Sequence, residues 1–568
     1  MSADTTVPST FRLGLFLSAV VLALYVIRLA GPSDLIDYGQ EANTAYVLDA
    51  VRNAHWIVQR DLYGAVASKP PLYTWLASSV SVALGRIDRF TLSLPAALAT
   101  LTLSLVIFAA GRAHFGWLAG FLGALAYACS GIAAKQVALV RTDGLFALTV
   151  TVLALLAFRA WQKGSGWAWF WLAAALSTLT KGPLGILLAA TGLLAALWER
   201  RSGQPVPLKG SHLVGVGLLL LVAGGWFAWA YVVLGQDLID RMLVRELYGR
   251  AISKGPGSRM FVGFYLPWSY FLARFAPWSL LAAVGFWRLW KSPAADPQTR
   301  RFERFLFCWF VVGMVIFSAA AHQRADLIFP LIPAAALVAG RELARWLNAW
   351  KPRRVFALGM TVAVLACGAT FYTYSITRAR SEEVRQTLSM EKLAQSLRAQ
   401  VGDDFPLVHV ETSPVLQFYL GTSAPCVTLE HAVKLLQGDV PVFVAIDGRA
   451  RPESFWGTNA PTARLLAEGV KGRRNHARIL SNHPRLEWTD PLMTQAGAVQ
   501  IRLAGVRGFE AQGNEYWLKR GTDQASAEFT NRSTKPQLVR VRLAGGGVER
   551  LAERLLPPGE KWKIDAER

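Results

Sequence analysis

Residues 13–30 read LGLFLSAVVLALYVIRLA, and residues 31–71 read GPSDLIDYGQEANTAYVLDAVRNAHWIVQRDLYGAVASKPP. The first stretch is apolar apart from Arg28. Its length matches the ~20 residues a helix needs to cross the hydrocarbon layer of a bilayer. The second stretch is polar and carries Asp34, Asp37, Glu41, Asp49, Asp61 and Lys69 before two prolines. The change from one to the other decides the fold: a helix crosses a membrane and leaves a charged loop at its surface. A secretory signal would be shorter and would end in a small-residue cleavage site, so the first run reads as a retained anchor helix.

Working outward, further apolar runs lie near 90–110, 116–134, 144–161, 167–179, 183–198, 212–234, 262–287, 303–320, 326–346 and 355–376. Of the 568 residues, 53% are hydrophobic and only 17% charged, against about a quarter charged in soluble proteins. Backbone polar groups in lipid must pair within the segment, so successive runs of this kind imply a helical bundle. The expected fold is an α-helical polytopic membrane protein with about 11–13 transmembrane helices. Segment 72–85 is short for a crossing and reads as a helix dipping into the outer face.

The net charge of +22 would point to nucleic acid in a soluble chain. Here the excess sits in short connections at Arg159–Lys163, Arg200–Lys209, Arg288–Arg304 and Arg341–Arg354. All four fall on one side if each run crosses once, and the positive-inside rule makes that side cytoplasmic. Loops 31–71, 135–143, 235–261 and 321–325 then face outward, as does the chain after Thr377. The remaining positive charge suits anionic lipids or lipid phosphates, and no nucleic-acid partner is expected.

The expected domains are a membrane part, 1–376, and a soluble part, 377–568. In the second, SEEVRQTLSMEKLAQSLRAQ has helical spacing, PLVHV and PVFVAI read as short strands flanking helical LEHAVKLLQ, and QLVRVRLAGGGVERL reads as a hairpin. This is an α/β unit, with 452–480 read as loop. It carries no catalytic motif, and its expected role is a solvated cap or acceptor recognition. Of the four cysteines, Cys129, Cys308 and Cys367 lie in apolar runs and Cys426 in the tail, so neither a disulfide framework nor a cysteine metal site is expected. The eight histidines are scattered, and no metal site or cofactor is expected.

Ionisable groups at membrane level are costly and default to functional candidates. Lys69 is fixed by Pro70 and Pro71 at the outer interface. Asp143 follows Arg141 at the outward end of a run, where a helix cap is the plain alternative. Thr180-Lys181-Gly182-Pro183 breaks two runs. Arg245, Glu246, Arg250, Lys254 and Arg259 crowd loop 235–261, and His322, Gln323, Arg324 and Asp326 form another outward turn. Acids and bases from five loops thus meet on one face. Clustered cations suit a phosphate-bearing lipid, and a carboxylate beside them suits general-base activation of a hydroxyl.

The ordered set Trp56-Ile57-Val58, Lys69-Pro70-Pro71-Leu72-Tyr73, Asp143 and Thr180-Lys181-Gly182 resembles the bacterial branch of the GT-C membrane glycosyltransferases. That branch includes the lipid A aminoarabinose transferases and relatives of the protein O-mannosyltransferases. The landmarks cover about residues 12–345. The resemblance implies transfer of a sugar from a polyprenyl-phosphate carrier to an acceptor (lipid A, another envelope glycan or a protein) by a monomer in the bacterial inner membrane, with the C-terminal domain periplasmic. It implies Lys69 as the donor-phosphate lysine, assisted by Arg250 and Arg324, with Asp143 as an important acid and Tyr73, Lys181 and Arg245 nearby. The family's acidic pair after the first span is Asp-Glu. This chain has Gln40-Glu41, so the base is expected at Glu41, with Asp37 one turn earlier as its substitute. A transporter or flippase of lipid-linked sugars, or a non-catalytic envelope assembly protein, are the alternatives. Transporters bind at the midplane between internal repeats, and the sequence has no repeat.

Overall fold

The computed structural model describes residues 9–565 apart from 38, 62–63, 204–206, 249–262, 402–406, 423–425, 439, 441, 448–463, 469–476, 483–491, 497, 505, 513, 521–525 and 546–547. Contacts divide the chain into two units. The first runs to Ser381 without Asp34–Asp37 and Leu62–Ala65; the second holds those two segments and Glu382 onward.

The first unit is helical. Among the described residues, seven helices are long and apolar enough to cross a membrane: α1 (Thr10–Ala30), α4 (Arg89–Phe115), α7 (Thr142–Lys163), α11 (Leu213–Leu234), α14 (Pro297–Ala319), α15 (Ala325–Leu347) and α16 (Pro352–Arg380). The other apolar runs are shorter or broken. They form α5 (Trp117–Ala128) with α6 (Gly131–Gln136), α8 (Trp167–Lys181), α9 (Leu184–Thr191) continuing into α10 (Ala195–Arg201), and α12 (Leu266–Arg274) parted by Pro277 from α13 (Trp278–Lys291). This is a multi-pass membrane protein. Among the described residues, helix α2 (Gln40–Arg52) lies in the polar stretch and α3 (Leu72–Ala83) directly follows it. At 12 residues, α3 is too short to cross, as its length in the sequence implied.

Helices in lipid associate through close backbone approach rather than hydrophobic transfer. The α4–α5–α15 contact shows this. A Cβ on Gly120 would lie 2.5 Å from the Phe108 carbonyl, and one on Gly340 would lie 2.4 Å from the Ala119 carbonyl. Only glycine fits at either place. Around this contact the bundle buries Trp161, Trp309, Phe302 and Phe305 completely.

The basic connections do more than set topology. Glu199, Glu303 and Glu342 have no exposed surface. Arg304 pairs with Glu199 at 2.7 Å, Arg341 with Glu303 at 2.6 Å, and Arg288 with Glu342 at 2.7 Å. These pairs tie α10, α13, α14 and α15 at one end of the bundle.

The second unit begins with α17 (Glu382–Val401). A four-stranded sheet has the order β1 (Leu407–Val410), β2 (Phe443–Asp447), β4 (Ala477–Ser481), β3 (Arg464–Glu468). β1 and β2 are parallel, and α18 (Pro414–Leu420) and α19 (Leu429–Gln437) lie between them in sequence. β3 and β4 fall in the stretch read as loop. Their alternation was obscured by flanking Arg, Asn and Gly. Two more four-stranded sheets follow, ordered β11-β10-β8-β7 and β12-β9-β6-β5. Here β5 is Leu492–Ala496, β6 Val499–Ala504, β7 Val506–Gln512, β8 Glu515–Arg520, β9 Ser526–Asn531, β10 Gln537–Gly545, β11 Val548–Leu556 and β12 Lys561–Asp565. The expected hairpin is β10–β11, antiparallel from Gln537↔Leu556 to Gly545↔Val548. Both sheets share one core, with Ile501, Tyr516, Phe529 and Val541 at its centre.

On β1, His409 is buried with Nδ1 2.6 Å from the Thr412 hydroxyl. Burial pushes the imidazole from 6.5 down to about 3. The unfolded chain therefore binds a proton that the folded unit refuses across that interval, and stability falls as pH drops below about 6.5. Amide exchange in β1 and β2, corrected for intrinsic rates, is expected to lose protection between pH 7.5 and pH 5. The His409→Gln variant is expected to lose much less; equal losses in both would show that His409 does not govern the change.

Candidate functional site

The polar stretch is folded back on itself before it reaches Lys69. Asp49, near the end of α2, accepts hydrogen bonds from the Asn53 amide, the His55 ring and the Arg60 backbone N–H at 2.7–2.9 Å. The Trp56 carbonyl accepts from the Trp75 indole at 2.6 Å, and the Ile57 carbonyl accepts from the Trp226 indole at 2.9 Å. The Trp56-Ile57-Val58 landmark is thus pinned to α3 and α11 by its backbone. Ala67 N–H then donates to the Gln59 carbonyl. The Pro70-Pro71 corner starts α3, with Pro71 as its N-cap residue.

A second segment, 139–141, is held by three side chains. The Val140 N–H donates to Gln40 Oε1 at 3.0 Å, and its carbonyl accepts from the Asn43 amide at 2.8 Å. The Tyr73 hydroxyl lies 2.9 Å from the Leu92 carbonyl and 3.2 Å from the Leu139 carbonyl. Gln40 and Tyr73 are both buried. Gln40, at the place of the missing family carboxylate, therefore docks α2 onto the chain that leads into α7.

That docking aims Arg141. Its guanidinium bridges Asp143 and Asp326, each at 2.9 Å. Asp326 also takes Lys135 at 3.0 Å, and Asp143 takes Lys181 at 2.5 Å. Lys135, Asp326, Arg141, Asp143 and Lys181 form one line of alternating charge. The helix ends favour it: Asp143 sits in the first turn of α7, where negative charge is stabilised, and Lys181 in the last turn of α8, where positive charge is. Asp143 works through these ion pairs, and α7 has no side-chain cap bond. The chain leaves α8 at once because Gly182 takes φ +86°, a left-handed conformation suited to glycine.

The line forms part of the wall of a cavity of about 260 Å³. Among the described residues Lys69, Arg141, Lys181 and Arg324 line it, against the carboxylates Asp143 and Asp326, so the lining is net positive. Beside it lies a larger cavity of about 640 Å³, walled by Leu184, Leu187, Phe227, Met242, Ile316 and Phe317 among others. Lys69, Lys181 and His322 belong to both walls. A charged chamber and an apolar one share a border that carries two lysines.

Comparisons with known proteins bear on the fold. A crystal structure of ArnT from Cupriavidus metallidurans bound to undecaprenyl phosphate superposes with a TM-score of 0.62, covering 84% of this chain and 99% of that one at 18% identity. The chain has the GT-C fold. The apo form of that protein gives 0.61 at 17% identity, with 84% and 98% coverage. Residues 68–229 match the dolichyl-phosphate-mannose-protein mannosyltransferase family, so the resemblance carried by Lys69 and Thr180–Gly182 is borne out. A relative in Pseudomonas fluorescens, named undecaprenyl phosphate-alpha-4-amino-4-deoxy-L-arabinose arabinosyl transferase 1, is 25% identical over 254 residues, 43% of this chain and 42% of its own. One of the same name in Sodalis glossinidius is 29% identical over 236 residues, 39% and 40%. The alignments span about two fifths of the length of these curated relatives.

Within the GT-C bundle, Lys69, Asp143, Lys181 and Arg324 line one cavity. Tyr73 does not line it and acts on the site through Leu139. Glu41 is half-buried on the first turn of α2, where Ala42, Asn43 and Tyr46 supply the cavity wall. Asp37 belongs to the second unit, where Ile36 N–H donates to the Thr387 hydroxyl. Arg250 and the Arg245 side chain lie outside the described residues. Among those described, no three His, Cys, Asp or Glu side chains group as for a metal ion. Sequence reasoning gave Asp326 and Lys135 no role. Lys135 is a lone cation in the small-residue stretch GIAAKQVALV, and its cost at membrane level was the available signal.

Replacing Asp326 with Ala leaves Lys135 and Arg141 without their shared carboxylate. Breaking a buried ion pair by removing one partner costs about 3 kcal/mol or more. Asp326→Ala is expected to lower the melting temperature of the detergent-solubilised protein by several degrees, with Asp326→Asn in between. An unchanged melt for both would mean the charge line contributes nothing to the bundle.

Proposed function

We propose that this chain is a glycosyltransferase that moves a sugar from a polyprenyl-phosphate-linked donor to an acceptor on the periplasmic side of the inner membrane. The observation that carries the reading is the shared border of the two cavities. An anionic headgroup fits the net-positive chamber, and an apolar polyprenyl tail fits the chamber walled by Leu187, Phe227 and Phe317. The named activity of the Pseudomonas fluorescens relative and the undecaprenyl phosphate held by the Cupriavidus metallidurans protein support the same donor class. The basic connections at the opposite end of the bundle support a cytoplasmic position for that end, and so support reading the site as periplasmic.

In this reading Lys69 and Lys181 hold the phosphate, with Arg324 assisting. The bond from the sugar's anomeric carbon to the phosphate oxygen breaks, and a bond to the acceptor oxygen forms from the opposite face. The phosphate leaves as an anion stabilised by the lysines, without a general acid. The acceptor's proton needs a base. Of the acids named from sequence, Asp143 reaches the cavity wall, and we assign it that role ahead of Glu41 and Asp37. In the unliganded site Lys181 occupies Asp143. A bound phosphate competes for Lys181 and so frees a carboxylate oxygen when a donor is present.

Reconstituted protein supplied with a polyprenyl-phospho-sugar and lipid A or other envelope acceptors is expected to transfer the sugar, read by mass spectrometry. Lys69→Ala is expected to lower kcat/KM by 100-fold or more, since a charged hydrogen bond made in the transition state is lost. Asp143→Asn is expected to cut kcat by a similar factor while donor is still retained, and Glu41→Gln to keep most turnover. The reverse pattern would move the base to Glu41. Donor lipid crossing vesicles with no transfer to any acceptor would contradict the enzyme reading.

A further inference from the structure

At the other end of the bundle lies a cavity of about 550 Å³ that the proposed reaction does not use. Its wall includes His114, Thr299, Glu303, Arg341, Arg345 and Asn348. Three of the helices that supply it are traceable to the candidate site. α15 begins beside Asp326 and carries Arg345 near its far end; α14 carries Thr299 at one end and Ala319, in the apolar chamber, at the other; α4 holds Leu92 near Tyr73 and ends at His114. At 1.5 Å per residue these spans separate the two places by roughly 30 Å, the thickness of the hydrocarbon layer.

Two arginines against one glutamate leave the wall net positive. Arg341, Arg345 and Asn348 fall at i, i+4 and i+7 on one face of α15. Arg341 is shared between Glu303 and Glu342 and is thereby fixed in place. Arg345, one turn further, is exposed, and among the described residues it has no ion-pair partner. Its guanidinium and the Asn348 amide are donors on the same stripe, at the cavity mouth. The surroundings identify the source of the anion. Trp287, Trp290, Trp346 and Trp350 are all exposed at this end, and tryptophan gathers where lipid headgroups meet the hydrocarbon. Arg288, Lys291, Lys351, Arg353 and Arg354 add positive charge around them.

We propose that this cavity is a binding site for the phosphate of an anionic phospholipid from the leaflet opposite the candidate active site. Arg345 and Asn348 contact the headgroup, and Arg341 holds the stripe in register. Basic pockets between membrane helices on the cytoplasmic face bind such headgroups, each cation contributing a several-fold preference.

The test uses the full chain, delipidated in detergent and offered equal phosphatidylglycerol and phosphatidylcholine, with retained lipid counted by native mass spectrometry. The wild type is expected to retain phosphatidylglycerol selectively. Arg345→Ala is expected to reduce that retention about five-fold, Arg345→Ala with Asn348→Ala further, and Arg345→Lys only slightly. Lys535→Ala, at an exposed lysine of the second unit, serves as control and is expected to leave it unchanged. Equal retention of the two lipids by wild type, or unchanged retention in the double variant, would overturn the proposal. Full displacement of the lipid by millimolar inorganic phosphate would assign the cavity to a free anion and would overturn it as well.

Discussion

The site depends on one constraint: two carboxylates and three cations are held out of water at the end of a helical bundle. Neither Asp143 nor Asp326 could stay ionised there alone, because transferring an unpaired charge from water costs far more than packing returns. The alternating line from Lys135 to Lys181 meets that cost by giving each carboxylate two cationic neighbours. It also fixes the relative positions of α6, α7, α8 and α15, since each contributes one or more of its members. Stability and function are coupled at this point. The three cations of the line already outnumber its two carboxylates, Lys69 and Arg324 add to the positive lining, and the proposed donor phosphate would meet that excess.

Much of the surrounding structure serves to hold that line in place. Gln40 and Asn43 grip both polar groups of Val140, and Tyr73 holds Leu139. Both cavities then follow from chain turns of fixed geometry, at Pro70-Pro71 and at Gly182-Pro183. Lys69 and Lys181 lie directly before these turns, so the backbone places two ammonium groups on the border between a polar and an apolar chamber. An amphiphile with an anionic head is the ligand we propose for the two chambers.

The sequence was most legible where a single physical rule dominates. Unbroken apolar runs gave the bundle, the short run at 72–85 gave a non-crossing helix, and PLVHV and PVFVAI gave two short strands, which the fold pairs in parallel. Lys69, Asp143 and Lys181 were recognisable because each is a charge at the end of an apolar run. What could not be read was partnership across distance. Asp326 looked like one residue of a polar turn, although it is the second acid of the charge line. Glu199, Glu303 and Glu342 passed unnoticed because their arginines were already explained by topology. Gln40 looked like a lost carboxylate, and its grip on Val140 became apparent only when α2 was seen beside 139–141. The strands within 464–481 were hidden by polar flanks.

We propose that one ligand spans both chambers, with its phosphate on Lys69 and Lys181 and its chain against Leu187, Phe227 and Phe317. The decisive observation is a cryo-electron microscopy map of the full chain with a polyprenyl phosphate bound. Phosphate density is expected within hydrogen-bond reach of both lysines, continuous with chain density in the apolar chamber, and Lys181 drawn away from Asp143. Lipid density elsewhere on the bundle, with the Asp143–Lys181 pair intact and the charged chamber empty, would contradict it.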